Sequence, residues 1–217
     1  MYRVVFALTA ISLMLVGVGC QSKEQAALDR ARNRPAPGYL RVLNLTDKPV
    51  TLTDHTKRPM NNNIAPGKGG LMNPAGEGEK SFVIDIAGEK IDLKATIVSG
   101  EGHTAVVWPN KKVTVVSSEM RLPKDLDNLT VAFIDENGYV EGQKATVMSG
   151  NTKVDLSSET KRYSVSPGEF KSEDGSASIA VAPDFAYSFI FVKEGDKFKP
   201  YFMLNSDPSK PVAGGAG

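Results

Sequence analysis

The sequence predicts an all-β protein built as two small antiparallel β-sandwich halves of the Ig-like kind. Three observations predict it. Apolar runs are short and are punctuated by Gly, Pro, Asn and Asp, which supply the backbone angles and side-chain hydrogen bonds of turns. Ile91, Leu93, Ala95 and Ile97 alternate with Asp92, Lys94, Thr96 and Val98, the period of two that puts one face in a core and the other in water. No segment carries the apolar spacing of a long amphipathic helix.

Taken in order, Tyr39 to Leu43 is the first strand of the domain, closed by Thr46-Asp47-Lys48-Pro49, and Val50 to Thr53 follows. Lys80 to Ile86 turns at Gly88-Glu89 into the alternating strand. Ser99-Gly100-Glu101-Gly102 turns into His103 to Trp108, which Pro109 ends, and Val113 to Val116 comes next. Leu129 to Ile134 opens a second set, with a turn at Asp135-Glu136-Asn137-Gly138 whose Asn-Gly pair tolerates positive φ. Lys144 to Met148, Thr152 to Leu156, Tyr163 to Val165, Ser176 to Val181, Tyr187 to Val192 and Phe198 to Leu204 complete it. Glu194-Gly195-Asp196 is the last hairpin turn. Ser117 to Asn128, interrupted by Pro123 and by Lys124, Asp125 and Asp127, marks the boundary, so the halves are expected at 39–118 and 119–206. The tail 207–217 is rich in Pro and Gly and is expected to be disordered.

Two matches suggest internal duplication. Ala65-Pro66-Gly67 corresponds to Ser166-Pro167-Gly168, and His103-Thr104-Ala105-Val106-Val107 to Tyr187-Ser188-Phe189-Ile190-Phe191. Shared turn chemistry without shared ancestry explains the same matches.

The N-terminus has a different character. Met1-Tyr2-Arg3 is a short positive region, Val4 to Val18 is uncharged and apolar, and Gly17-Val18-Gly19 offers small residues before Cys20. This is the three-part pattern of a secretory signal over residues 1–19. The apolar run is about fifteen residues, short of the roughly twenty that span a bilayer comfortably, so a plain transmembrane anchor is the alternative. Residues 20–38 are polar and end in Arg34-Pro35-Ala36-Pro37-Gly38, a flexible tether. Cys20 is the single cysteine, so no internal disulfide can form and stability rests on the apolar core.

Gly17-Val18-Gly19-Cys20 resembles a bacterial lipobox, with Gly17 where Leu is usual and Leu15 two residues earlier. The resemblance implies a lipid on Cys20, a diacylglyceryl group and an N-acyl chain such as palmitate, and hence partnership with a membrane. Gln21 rather than Asp follows Cys20, which resembles outer-membrane sorting if the cell has two membranes. The expected location is the bacterial cell envelope, on the periplasmic face of that membrane.

Charge excludes one class of partner. The chain has 26 Lys+Arg against 25 Asp+Glu, and Arg3 is the one charge in the first nineteen residues, so its removal leaves 25 against 25. A neutral mature chain lacks the electrostatic footprint of a nucleic-acid binder.

The Leu40-Arg41-Val42-Leu43-Asn44 strand, Pro66-Gly67 and Pro167-Gly168, and a His or aromatic followed by Thr or Ser and aliphatics, are similar to small exported bacterial β-sandwich repeats. They are also similar to the two-domain accessory protein of alginate O-acetylation. The second resemblance implies a non-catalytic partner of a complex that modifies an envelope polysaccharide.

Candidates for chemistry are few. His55 and His103 are the two histidines, and neither has a neighbour at metal-ligand spacing, so no metal or other cofactor is expected. There is no Gly-x-Ser-x-Gly elbow. Asp54-His55 could orient a distant Ser, which keeps an envelope hydrolase using His55 or His103 as the alternative function. Ala65 to Gly70 fails the spacing of a phosphate loop and reads as a mobile loop. Asp135-x-Asn137 has the first two ligand positions of a calcium loop, but Gly138 comes too early. Trp108 is either a core residue or a sugar-stacking platform at a strand end, and His103 is either a second ligand-binding residue or a strand-edge residue beside the Ser99 to Gly102 turn. The expectation is a non-enzymatic binding or scaffolding protein that contacts an envelope complex or a polysaccharide.

Overall fold

The architecture follows from which faces of each strand are apolar. The computed structural model describes residues 37–119, 128–182 and 185–205. Cys20, the signal, the tether before residue 37 and the tail lie outside the described residues. In the first half the strands are β1 (Gly38–Asn44), β2 (Val50–Asp54), β3 (Pro59–Ile64), β4 (Asn73–Gly76), β5 (Gly78–Ile86), β6 (Glu89–Ile97), β7 (Glu101–Val107) and β8 (Val113–Glu119). In the second they are β9 (Leu129–Asp135), β10 (Gly138–Tyr139), β11 (Lys144–Ser149), β12 (Thr152–Ser157), β13 (Arg162–Tyr163), β14 (Gly168–Ser172), β15 (Ser178–Val181), β16 (Ala186–Glu194) and β17 (Lys197–Asn205). The described residues contain no helix. The protein is all-β, as the sequence predicts.

Each half is a sandwich of two sheets. The first pairs β4-β1-β7-β8 with β3-β2-β5-β6; the second pairs β10-β9-β16-β17, with β13 also beside β9, with β12-β11-β14-β15. The plans coincide. The first and seventh strands, β1 and β7, run parallel, as do β9 and β16, and every other pair is antiparallel. Opposite Leu40 stands His103, and opposite Leu129 stands Tyr187, so His103 and Tyr187 occupy equivalent places. The matched Pro-Gly pairs do not: Pro66-Gly67 lies between β3 and β4, whereas Pro167-Gly168 leads into β14.

Three apolar cores stack these sheets. Leu40 and Val42 of β1 pack with Leu52, Ile84 and Ile97 of the facing sheet. Phe133, Phe189 and Phe191 pack with Val147, Leu156 and Phe170 in the second half. A third core lies between the halves, where Leu43, Val106 and Trp108 meet Ile134, Ile190 and Met203. The order is therefore outer sheet, inner sheet, inner sheet, outer sheet, and both halves belong to one compact unit.

This third core explains a feature of the strand sequences. The inner strands β1, β7 and β16 are buried in nearly unbroken runs, polar residues included, because both of their faces are covered. β6 alternates because one of its faces meets water. The rim adds polar ties: Lys112 Nζ lies 3.3 Å from Glu136, and the Ser117 amide donates to the Tyr139 hydroxyl at 3.2 Å.

Strands β3, β4, β10 and β14 have no counterpart among the sequence-based expectations. β3 reads Pro-Met-Asn-Asn-Asn-Ile, with Asn63 at φ 53° and an irregular register against β2, so it carries little β propensity of its own. It is held by its neighbour β2 and by Asn61, whose side chain accepts the Val42 amide at 2.8 Å and donates to the Leu71 carbonyl at 2.8 Å.

Candidate functional site

The residues singled out from sequence fall in separate places. His55 is exposed in the β2–β3 turn. Its neighbour Asp54 accepts from the Thr56 hydroxyl at 2.6 Å and from the Thr56 and Arg58 amides at 2.9 Å. The Thr56 hydroxyl bond leads in holding the Asp54 carboxyl below its ordinary range, so the carboxylate serves the turn.

His103 stands on β7 and is 2% exposed. The Val98 amide donates to its Nε2 at 3.1 Å, and its Nδ1 lies 3.2 Å from the Ser117 hydroxyl oxygen. A ring nitrogen that accepts an N–H carries no proton, so in the neutral ring the proton sits on Nδ1 and points at Ser117. Burial holds the ring below its usual pKa, against the opposing charge of Glu101. The dyad is wired the wrong way for a nucleophile: Nδ1 gives a proton to Ser117 and has no lone pair to take one.

Trp108 is 6% exposed, its indole N–H donates to the Thr114 hydroxyl at 3.0 Å, and its ring lies in the core between the halves. Neither Trp108 nor His103 faces solvent as a platform. Asp135 accepts the Asn137 amide at 2.7 Å, the bond of a hairpin turn. Among the described residues no three His, Cys, Asp or Glu side chains converge as metal ligands.

The interface between the halves holds a group that sequence reading did not single out. Arg41 is 1% exposed. Its Nε donates to Thr104 at 3.0 Å, Nη1 to the Leu204 carbonyl at 2.8 Å and Nη2 to Asn205 Oδ1 at 2.8 Å, and the Ser188 hydroxyl donates to the same Asn205 oxygen at 2.9 Å. Burial pulls its pKa down to about 9, so it remains a cation at neutral pH. Among the described residues no carboxylate pairs with it. An arginine bound only to neutral oxygens ties β1 of one half to β17 of the other. Register puts Thr130 at the equivalent place in the second half, opposite Ser188 as Arg41 is opposite Thr104.

A groove runs along β17, the free edge of its sheet. Two clefts, of about 440 and 360 Å³, meet at Pro200. The larger lies between the second-half sheets and is lined by Lys144, Lys197 and Phe198, with Glu173 and Asp174 of the β14–β15 turn. The smaller crosses from β17 to the first half and is lined by Lys68, Gly69, Lys199, Tyr201, Ser176 and Ser178 among others. Cavities of this size are the usual setting of ligand sites.

The first-half wall is firm, which corrects the expectation of a mobile loop over 65–70. Asn44 N–H donates to the Lys68 carbonyl at 3.0 Å, Gly67 N–H to the Asn44 carbonyl at 2.7 Å and Gly70 N–H to the Val42 carbonyl at 2.7 Å. The segment runs against β1 like an extra strand, with Leu43 opposite Gly69. A Cβ at Gly69 would lie 2.6 Å from Met203 Sδ, so the loop packs directly against the Met203 side chain of β17.

The free edge itself is blunted. The two-residue Gly195-Asp196 loop makes Glu194 and Lys197 a hydrogen-bonded pair, so the backbone groups of residues 198, 200, 202 and 204 point outward. Pro200 has no N–H to offer there, and the Leu204 carbonyl is taken by Arg41. The groove therefore presents side chains more than a strand-pairing edge.

No protein-family model matches the chain, and no curated protein matches it.

Proposed function

We propose that the protein is a membrane-anchored, non-catalytic binding or scaffolding lipoprotein of the bacterial cell envelope, an accessory to extracellular polysaccharide modification of the alginate O-acetylation kind. The anchor rests on Arg3, the apolar run to Val18 and Cys20 after small residues. The binding role rests on one structural observation above others: both halves wall the groove at β17, and a shared core fixes them together. The wiring of His103, and the placement of His55 in an exposed turn on another sheet, supply no assembled acid–base pair for the alternative of a hydrolase. The partner on this reading is an envelope protein complex or its polysaccharide.

Metabolic labelling with a radioactive fatty acid tests the anchor. Wild type is expected to take up label and Cys20→Ser to lose it; equal label on both contradicts the reading. Complementation with His55→Ala combined with His103→Gln tests the non-catalytic role. Function is expected to persist, and a stable, well-expressed but inactive double variant would favour the hydrolase.

A further inference from the structure

We propose that the β17 groove binds an acidic polysaccharide, with Lys68, Lys144 and Lys197 meeting its carboxylates and Phe198 and Tyr201 meeting the apolar faces of its rings. This rests on the binding role proposed above and assigns it a site and a ligand class.

Charge placement carries the inference. Four lysines line the two clefts, against the carboxylates of Glu173 and Asp174. Glu173 has a cation of its own, whereas Asp174 stays ionised and offsets part of the positive charge. Glu173 lies 3.5 Å from Lys153, and Asp174 accepts from the Ser172 and Ser176 hydroxyls at 2.6 and 2.7 Å, bonds that bring its pKa to about 2. Lys199 is engaged as well, 3.4 Å from Glu194 and 5.6 Å from the centre of the Tyr201 ring. Lys68, Lys144 and Lys197 are exposed, and among the described residues no ion-pair partner meets them. Three unpaired cations along one groove, in a chain whose mature charge balances to zero, mark a surface that attracts anions.

The rest of the lining selects among anions. From Lys197 to Met203 the groove follows roughly 20 Å of strand, room for an extended polymer and more than a single small acid needs. Phe198 and Tyr201 are half-buried, so each ring is fixed by packing. A sugar ring has one apolar C–H face and a rim of hydroxyls. Ser176 and Ser178 can hydrogen-bond such a rim. The Gly67–Gly69 wall is already pinned to β1, so little ordering entropy is lost when a ligand docks.

The test uses the full lipidated chain in detergent micelles and a fluorescent polygalacturonate oligomer. Binding is expected, and is expected to weaken as salt rises. The methyl-esterified oligomer, with its carboxylates neutralised, is expected not to bind. Replacing Lys68, Lys144 and Lys197 together by Ala should weaken binding at least about tenfold, from small contributions by each exposed ion pair. Lys90→Ala with Lys94→Ala, on β6, should leave it unchanged. No binding of the oligomer, equal binding of its ester, equal loss in the β6 variant, or tighter binding of single-stranded DNA would each overturn the proposal. Failure here with fatty-acid labelling of Cys20 intact would strike the ligand and leave the anchored scaffold standing; loss of labelling with binding intact would do the reverse.

Discussion

Strand β6 alternates buried Leu93, Ala95 and Ile97 with residues that meet water, whereas β16 buries every residue from Ala186 to Val192. A strand with one covered face belongs to a single sandwich. A strand with two covered faces belongs to both halves, and its outer-facing residues are core only while the halves stay together. The contrast places the stability of the pairing in the two inner sheets. Within them the halves differ again, because Arg41 is a buried cation where its counterpart is Thr130.

The largest expected effect comes from emptying the shared core. Ile190→Ala is expected to cost about 2–5 kcal/mol, as much as Leu93→Ala within one sandwich. Denaturant unfolding measures both. A cost below about 1 kcal/mol for Ile190→Ala, with the usual cost for Leu93→Ala, would mean that the halves merely touch.

Arg41→Met sharpens the comparison between the halves. It removes a desolvated charge but leaves the Leu204 carbonyl without its side-chain donor and the Asn205 oxygen with the Ser188 hydroxyl alone, and an unsatisfied buried acceptor costs about 1–3 kcal/mol. Thr130→Val, a near-isosteric change at the equivalent place, is expected to cost no more than about 1 kcal/mol. Equal losses at the two positions would remove any special role for the arginine.

His103 gives a pH dependence. Its folded pKa lies below the ordinary 6.5, so the unfolded chain takes up the proton first on acidification. The stability carried by the neutral ring is complete above about pH 6.5 and is lost as pH falls through the lower folded value. Melting temperature should therefore decline on acidification, and His103→Gln should flatten that decline. An unchanged slope in the variant would assign the acid sensitivity to other groups. The smallest expected effect is none: Cys20 is the one cysteine, so reductant should leave the unfolding midpoint of dilute protein where it was.

Much of the fold was legible because it is written in local chemistry. The period of two from Ile91 to Ile97 and the Gly195-Asp196 hairpin needed no tertiary knowledge. The four strands missed from sequence are short or poor in β-forming residues. Gly168–Ser172 reads as the end of a Pro-Gly turn, and Pro59–Ile64 pairs because β2 is beside it. The stacking of the halves was signalled, yet not read: an unbroken apolar run such as Phe189–Val192 in a strand means two covered faces. Arg41 could not have been found, since an arginine amid Leu40 and Val42 looks like the solvent face of an alternating strand. The groove joins Lys68 to Lys199 across the whole domain, a proximity that no local pattern encodes. Trp108 and His103 drew attention as rare residue types, and rarity says nothing about exposure.

Trp108 offers the most direct test of the account, because the one tryptophan of the chain lies in the core between the halves. Equilibrium unfolding followed by Trp108 emission and by far-ultraviolet circular dichroism is expected to give coincident transitions, with the emission moving to the red as the β signal disappears. A first transition in which Trp108 becomes exposed while the β signal is retained would show the halves separating as independent sandwiches, and would contradict a single four-layer body.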